Sequence, residues 1–581
     1  MQERVSVLAY LRLLGRYLSP HKIRVALLAL CIFGYISVRL AFPQIGRFFI
    51  DTALEDGPLE SLMWAAGFYL IAGFGRQIFF LSSSYLGQDV GWRATNRMRG
   101  ELSEHCLRLD MGFHSAHTPG ELVERVDGDT TALSNFFSAF AAQVVGACLL
   151  LIGVLGFVWH EDWRIGLALS AFAFVAFMVI NLTRSIAVPI YAGEREGFSR
   201  LYGYLEERLA GIEDVRTNGA VGFILDRFFR VNRDTYGRVM KSAVMGAILR
   251  SITTILFAFG HAMSMGMGYW LWEKGEFSIG TVYLVFEYTT LLRFPLHQIS
   301  EQINDLQRAT AGFKRIEALH RIQSRIPDGD QHLPTGALSV DFDHVDFDYF
   351  AGSPVLRDVN FHLAPGRTLG LLGRTGSGKT TLTRLLFRFY DVIEGGRIRL
   401  GGEALTDLSV EDLRRHVGMV TQDVQIFRAT VRENLSLFDA SIDDARILSA
   451  IEALDLGDWY ASLPQGLDSP IAAGGLSAGE SQLLAFARVF LKDPGLVILD
   501  EPSSRLDPQT ERRIEHAVGE LLRGRTAIVI AHHLATVQRV DDIMILDDGQ
   551  VLEHGERDAL ANDPTSHFAR LLKVGLEDHT A

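Results

Sequence analysis

Cysteine is scarce in this chain. Cys31, Cys106 and Cys148 are its three cysteines in 581 residues, and they stand far apart with no metal-ligand spacing. That argues against a disulfide framework and against a zinc site. An excess of basic charge is missing too: 56 Lys and Arg face 69 Asp and Glu, for a formal net charge of −13. Neutralising a phosphodiester backbone takes clustered cations, so nucleic acid is not expected as a partner. The N-terminus shows no short apolar core ending in small residues, so no cleavable signal peptide is expected.

Apolar sequence is plentiful and unevenly placed. Hydrophobic residues make up 48 % of the chain beside 22 % charged residues, which suits one membrane unit followed by one soluble unit. Six stretches of about 20 residues are apolar enough to cross a hydrocarbon core of roughly 30 Å. They lie near Val25 to Ile50, Leu62 to Leu86, Phe136 to Trp159, Ile165 to Leu182, Ala243 to Trp272 and Gly280 to Ile299. Arginines and lysines crowd the N-terminus (Arg12, Arg16, Lys22, Arg24) and the connection after the second stretch (Arg93, Arg97, Arg99, Arg108, Arg125), which predicts both as cytoplasmic. The short acidic loops near Glu55 to Glu60, His160 to Asp162 and Glu273 to Glu276 are predicted to face outward.

The two long connections keep helical composition, so the spans are expected to continue as helices beyond the membrane. Each contains a break, Phe113 to Leu133 and Leu205 to Val221, where a short helix has room to dock on another domain. Residues 1–323 are read as an all-α six-span domain and 324–336 as a polar linker with two prolines. From 337 to 581, short β-rich runs alternate with helical ones, the α/β signature.

Within that second part, Gly373, Gly378, Lys379 and Thr380 satisfy G-x-x-x-x-G-K-[ST] between an apolar strand (Thr368 to Leu372) and a helical run (Thr381 to Phe389). Phosphate oxygens must approach backbone N–H groups, which excludes side chains at the glycines, and the helix points its positive end at the same oxygens. The loop Gly373, Arg374, Thr375, Gly376, Ser377, Gly378, Lys379, Thr380 and Thr381 is therefore assigned to a nucleotide, with Lys379 on the β- and γ-phosphates and Thr380 toward Mg²⁺. Downstream, the apolar run Leu496 to Leu499 ends in two acids. Asp500 is placed for Mg²⁺, and Glu501 to polarise a water for attack on the γ-phosphate. Hydrolysis of ATP or GTP is the expected chemistry.

These residues resemble a family. Leu476 to Glu480, "LSAGE", followed by "SQLLAFARVFLKDP" and the acidic pair, is similar to the signature segment of ATP-binding cassette (ABC) proteins, in the family's order. With six spans before it, the whole chain resembles an exporter half-transporter: a type IV exporter-like membrane domain followed by an α/β P-loop cassette. The resemblance implies that Tyr349 stacks on adenine, which selects ATP over GTP. It implies that Gln422 touches Mg²⁺, that Asp507 lies in the loop crossing between two cassettes, and that His532 contacts the γ-phosphate. Ser477, Gly479 and Glu480 then close a nucleotide held by a partner's P-loop, so the chain must dimerise; closure would pull docking helices near Pro119 and Gly211 and flip the membrane cavity outward.

Two departures stand out. Glu480 occupies the signature position usually given to Gln, and "DSPIAAGG" before it lacks the family's acidic pattern. Because Glu501 and His532 are intact, the chain resembles the catalytic subunit of a heterodimer, with a homodimer as the alternative. The implied setting is the prokaryotic inner or plasma membrane, with the N-terminus and cassette cytoplasmic. A small amphipathic or hydrophobic, multidrug-type cargo is expected, and Glu287 in the sixth span would favour a cationic one if it lines the path. Pro43 and Pro295 are candidate helix breaks. An ATP-gated channel or regulator, or a membrane-attached ATPase without transport, are the competing readings.

Overall fold

The computed structural model describes residues 15, 19–139, 144–350, 352–393, 395–472, 474–500, 508–531 and 534–577. They divide into two compact units. One comprises Met1–Leu107 and Thr118–Ile322, the other Arg108–His117 and Gln323–Ala581.

The first unit is helical: α1 (Lys22–Leu54), α2 (Leu59–Arg108), α4 (Asp129–Ala139), α5 (Gly146–Glu161), α6 (Trp163–Ala210), α7 (Ile212–Thr217), α8 (Val221–Glu273), α9 (Ile279–Leu291) and α10 (Arg293–Arg321). The helix numbered between α2 and α4, α3 (Met111–Ala116), belongs to the second unit. Among the described residues, four helical stretches, Ser19–Leu54, Leu59–Arg108, Trp163–Ala210 and Val221–Glu273, are long and apolar enough to cross a membrane. At 50 residues α2 extends about 75 Å, far past a hydrocarbon core of roughly 30 Å. The third expected span falls on α4 and the 16-residue apolar α5, with 140–143 between them outside the described residues.

The sixth span falls on α9 and α10, which meet at Leu292. Pro295 has no N–H to offer the Leu291 carbonyl, so the helix loosens there, while Leu292 N–H to the Tyr288 carbonyl (3.2 Å) and Leu296 N–H to the Leu292 carbonyl (3.3 Å) carry the chain across. Pro43 does not break its helix: it lies buried within an uninterrupted α1. Packing against the bundle offsets the one lost hydrogen bond.

One face of α1 is buried. Leu28, Ile32, Ile36 and Leu40 recur every fourth residue and pack with Leu150, Val154 and Val158 of α5 and Leu169 of α6. By contrast Phe68, Ile71, Phe74 and Ile78 of α2 are exposed, an apolar face suited to lipid. The loop-end acids are paired, Glu161 with Arg47 (2.7 Å) and Glu276 with Arg164 (3.0 Å). Lower in the unit, buried Asp129 accepts from Arg315 Nε at 2.8 Å and ties the start of α4 to α10.

Besides a short antiparallel pair, β7 (Ala429–Thr430) with β8 (Pro470–Ile471), the second unit holds two main sheets. One is antiparallel, in the order β2 (Pro354–Leu363), β1 (Val340–Asp348), β4 (Arg397–Leu400), β5 (Glu403–Ala404). The other runs β12 (Gln550–Glu556), β11 (Asp542–Asp547), β3 (Thr368–Leu372), β10 (Thr526–Ile530), β9 (Leu496–Asp500), β6 (Val417–Val420), parallel except at the β11–β12 edge. β3 and β10 are buried along their whole length, which is why they read as continuous apolar runs rather than alternating ones.

The polar segment 324–336 packs closely on this unit. Leu333 is buried and its N–H donates to Asp412 Oδ2 (2.8 Å), and a Cβ on Gly329 would meet the Asp407 carbonyl at 2.1 Å. At the first break, the short helix that joins this unit is α3, upstream of the expected place near Pro119. Asp110 caps it by accepting from Phe113 N–H (3.0 Å), Ser115 Oγ shares a hydrogen bond with Tyr390 OH (3.1 Å), and Asp110 Oδ2 also accepts from Arg325 N–H (2.8 Å). At the second break, α6 ends at Gly211 and α7 follows, as the break at Leu205 to Val221 predicts.

Candidate functional site

The glycine-rich loop leaves β3 and enters α11 (Lys379–Leu386). Gly373 and Gly378 have φ of 152° and 106°, and a Cβ on Gly373 would meet the Leu546 carbonyl at 2.3 Å. These positions require glycine because the backbone turns through the left-handed region against a neighbouring strand. Lys379 is 6 % exposed, its Nζ donating to the Gly373 (2.6 Å) and Arg374 (3.0 Å) carbonyls. Ser377 Oγ is buried without a hydrogen-bond partner, while Arg374, Thr375 and Gly376 are exposed. A buried hydroxyl lacking a partner beside a buried ammonium fits an oxyanion ligand.

Tyr349 lies beside the first turn of α11. Its hydroxyl shares a hydrogen bond with Thr381 Oγ1 and accepts from Arg384 Nη1, both at 3.2 Å, and its ring meets Phe347 and Tyr390 edge-on.

The sheet sets the other assigned residues on one edge. Leu371 pairs with Ile530, which pairs with Asp500, so Asp500 lies two strands from the phosphate loop, about 10 Å away at ordinary strand spacing. On the far side of β9, Val420 pairs with Leu499, and the chain runs from there into Gln422, which is exposed. Glu501, Asp507 and His532 lie outside the described residues.

The loop carrying Gln422 is held by α12 (Ala478–Lys492), a link that motif matching missed. Arg488 donates to the Asn434 (2.8 Å) and Gln425 (2.9 Å) carbonyls, and Lys492 Nζ to the Val417 carbonyl (2.9 Å). Burial lowers the pKa of both cations from their ordinary values, with Arg414 adding repulsion at Lys492. A helix that carries the signature at one end thus grips the Gln422 segment with its side chains.

At the N-terminus of α12, Ser477 and Glu480 cap each other. Glu480 N–H donates to Ser477 Oγ (3.2 Å), while Glu480 Oε2 accepts from Ser477 N–H (2.7 Å) and Ser477 Oγ (2.8 Å). S-x-x-E is the sequence sign of such a box and was there to be read. Gly479 is buried, and a Cβ on it would meet Thr510 Cγ2 at 2.2 Å.

Residues 25–296 match the family described as ABC transporter transmembrane region, and 356–504 the one described as ABC transporter. An ATP-dependent lipid A-core flippase of Idiomarina loihiensis is 30 % identical over 562 residues, covering 96 % of each chain. The chain belongs to the ABC transporter family. A fatty acid ABC transporter ATP-binding/permease protein of Mycobacterium bovis is 30 % identical, over 79 % of this chain and 73 % of its own. The structure of a bacterial Atm1-family ABC exporter with ATP bound has the same fold, with a TM-score of 0.79 and 24 % identity over 95 % of this chain and 98 % of that one.

This ABC transporter is an integral membrane protein with the exporter fold, and its cassette is that of an ATP-dependent translocase. In its membrane unit a cavity of about 790 Å³ opens between α6, α8 and α10. Arg250 and Arg293, which fall within the fifth and sixth apolar stretches, line it; Glu287, on α9, does not.

Proposed function

We propose that the chain is one half of an ATP-hydrolysing exporter that moves an amphipathic, lipid-like substrate by alternating access. The phosphate loop carries this reading, because a buried Lys379 ammonium and a partnerless Ser377 hydroxyl together suit the β- and γ-phosphates of ATP. Thr380, Asp500 and Gln422 are the residues that would hold Mg²⁺, which neutralises phosphate charge when bound. Tyr349 faces the adenine, Glu501 takes the proton of the attacking water, and His532 contacts the γ-phosphate. Asp507 belongs to the crossing loop.

Ser477, Gly479 and Glu480 close the nucleotide of a second half-transporter, and the departures at Glu480 and before it favour a different chain as that partner. ATP drives closure only insofar as it binds the closed dimer better than the open one. The cassette and N-terminus lie in the cytoplasm of a prokaryotic cell, beneath the inner or plasma membrane. A lipid-like cargo is supported by the relatives, a flippase of lipid A-core and a fatty acid transporter by name.

The test is flux of a labelled amphiphile in proteoliposomes containing the chain with its neighbouring half-transporter. ATP-dependent flux that stops in Glu501→Gln supports an exporter. Flux that persists in that variant, with many molecules per closure, overturns it in favour of an ATP-gated channel.

A further inference from the structure

The cavity between α6, α8 and α10 has an unusual wall for a membrane unit. Arg184, Arg195, Arg250, Arg293 and His297 line it, against one acid, Glu194, among its described lining residues. The described lining thus sets four guanidinium groups against one carboxylate. The Arg184 guanidinium is held by the Ser300 carbonyl. Arg195, Arg250 and Arg293 make no side-chain hydrogen bond or ion pair with another described residue.

Arg250, Arg293 and His297 fall inside the fifth and sixth apolar stretches, and Arg184 lies just past the fourth. Charges at that depth are costly and normally paired or turned toward a ligand path. Three guanidinium groups that pair with no carboxylate among the described residues suit an oxyanion, whose paired oxygens match the guanidinium fork. Ile180, Leu249 and Ile252 line the same space, so apolar surface adjoins the cations. The volume suits a headgroup and the start of a chain rather than a whole multi-chain lipid.

We infer that this cavity seats the anionic headgroup, phosphate or carboxylate, of the exported amphiphile; the inference rests on the exporter reading above and assigns its substrate class. It also reverses the cationic preference that Glu287 suggested, because the charges that line the cavity are of the opposite sign.

The test uses the full chain with its partner half-transporter in phosphatidylcholine nanodiscs and proteoliposomes. The probes are phosphatidic acid, a diacylglycerol and a trimethylammonium lipid of the same acyl chains, and inorganic phosphate. Phosphatidic acid is expected to bind and stimulate ATP hydrolysis. Its affinity should fall on the order of tenfold in Arg250→Gln and in Arg293→Gln, the loss expected for one charge-assisted hydrogen bond. Arg250→Lys should retain most of the affinity, and Arg195→Gln offers the same reading should either of the other variants not fold.

Equal binding of the three lipids, or phosphatidic acid binding that ignores all of these substitutions, overturns the assignment. So does inorganic phosphate matching phosphatidic acid, which would mark a free-anion site. ATP-dependent flux of the trimethylammonium lipid, insensitive to the arginines, would sink this inference and leave the exporter standing. Arginine-dependent binding of phosphatidic acid without ATP-dependent flux of any lipid would sustain the cavity and sink the exporter.

Discussion

Lys379 and Glu501 make separable contributions, and their variants should fail differently. Lys379→Ala removes a buried ammonium, here on the Gly373 and Arg374 carbonyls, that is proposed to bind phosphate, so ATP affinity should fall about 10- to 100-fold, the range for a charged hydrogen bond. Glu501→Gln should keep ATP binding and lose about 100-fold or more in turnover, as when a general base is removed. Nucleotide binding and phosphate release, measured side by side, check both; wild-type turnover in Glu501→Gln would end the assignment of that carboxylate. Glu480 offers a third residue-scale test. Its carboxylate occupies the N–H and hydroxyl of Ser477, the donors proposed for a partner's γ-phosphate. Glu480→Gln keeps an acceptor for the cap but removes the negative charge, so ATP turnover should rise about 2- to 5-fold, the scale of a charge at a helix N-terminus. An unchanged rate at saturating ATP would mean that the cap opens freely on closure. The loop glycines were legible because only glycine meets their backbone geometry, whereas the hold of Glu480 on Ser477 was hidden behind a comparison with the usual Gln.

Elements were legible where one physical demand set the pattern. β3 and β9 read correctly because parallel strands buried on both faces are apolar throughout, and the break near Pro295 followed from a missing N–H. The docked position of α3 was less legible. It draws on partners remote in the chain, Tyr390 on Ser115, 275 positions away, and the Arg325 N–H on Asp110. The arginine cavity was illegible for a similar reason: its residues come from three helices, and periodicity within one helix does not reveal a shared wall. If α3 transmits cassette motion, Ser115→Ala and Tyr390→Phe should each reduce lipid stimulation of ATP hydrolysis about 2- to 10-fold, the worth of one neutral hydrogen bond. ATP affinity should hold in both. A double variant no worse than either single one would locate the effect in that pair, and additive losses would place it elsewhere.

At the scale of the whole molecule, the proposal turns on what faces the phosphate loop. Thr375 in the loop and Ala478 at the tip of α12 are both exposed, so each is available to a second chain. With Cys31, Cys106 and Cys148 replaced by Ser, a Thr375→Cys/Ala478→Cys chain carrying Glu501→Gln reads the geometry directly. Expressed alone, it should give little ATP-dependent interchain disulfide, and the chain with Glu501 intact should give little flux on its own, as expected if Glu480 and the stretch before it weaken the site this chain offers to a copy of itself. Adding the neighbouring half-transporter to the otherwise wild-type chain should raise ATP turnover tenfold or more, a modest share of the roughly 10³- to 10⁵-fold that trans-supplied phosphate contacts reach in other nucleotide hydrolases. Abundant cross-linking of that chain to itself, together with full flux by the chain with Glu501 intact expressed alone, would replace the heterodimer by a homodimer and keep the shared nucleotide. A nucleotide-bound chain that stays solitary, with neither cross-link nor response to the second half-transporter, would remove the shared nucleotide and with it the means by which ATP moves the membrane unit.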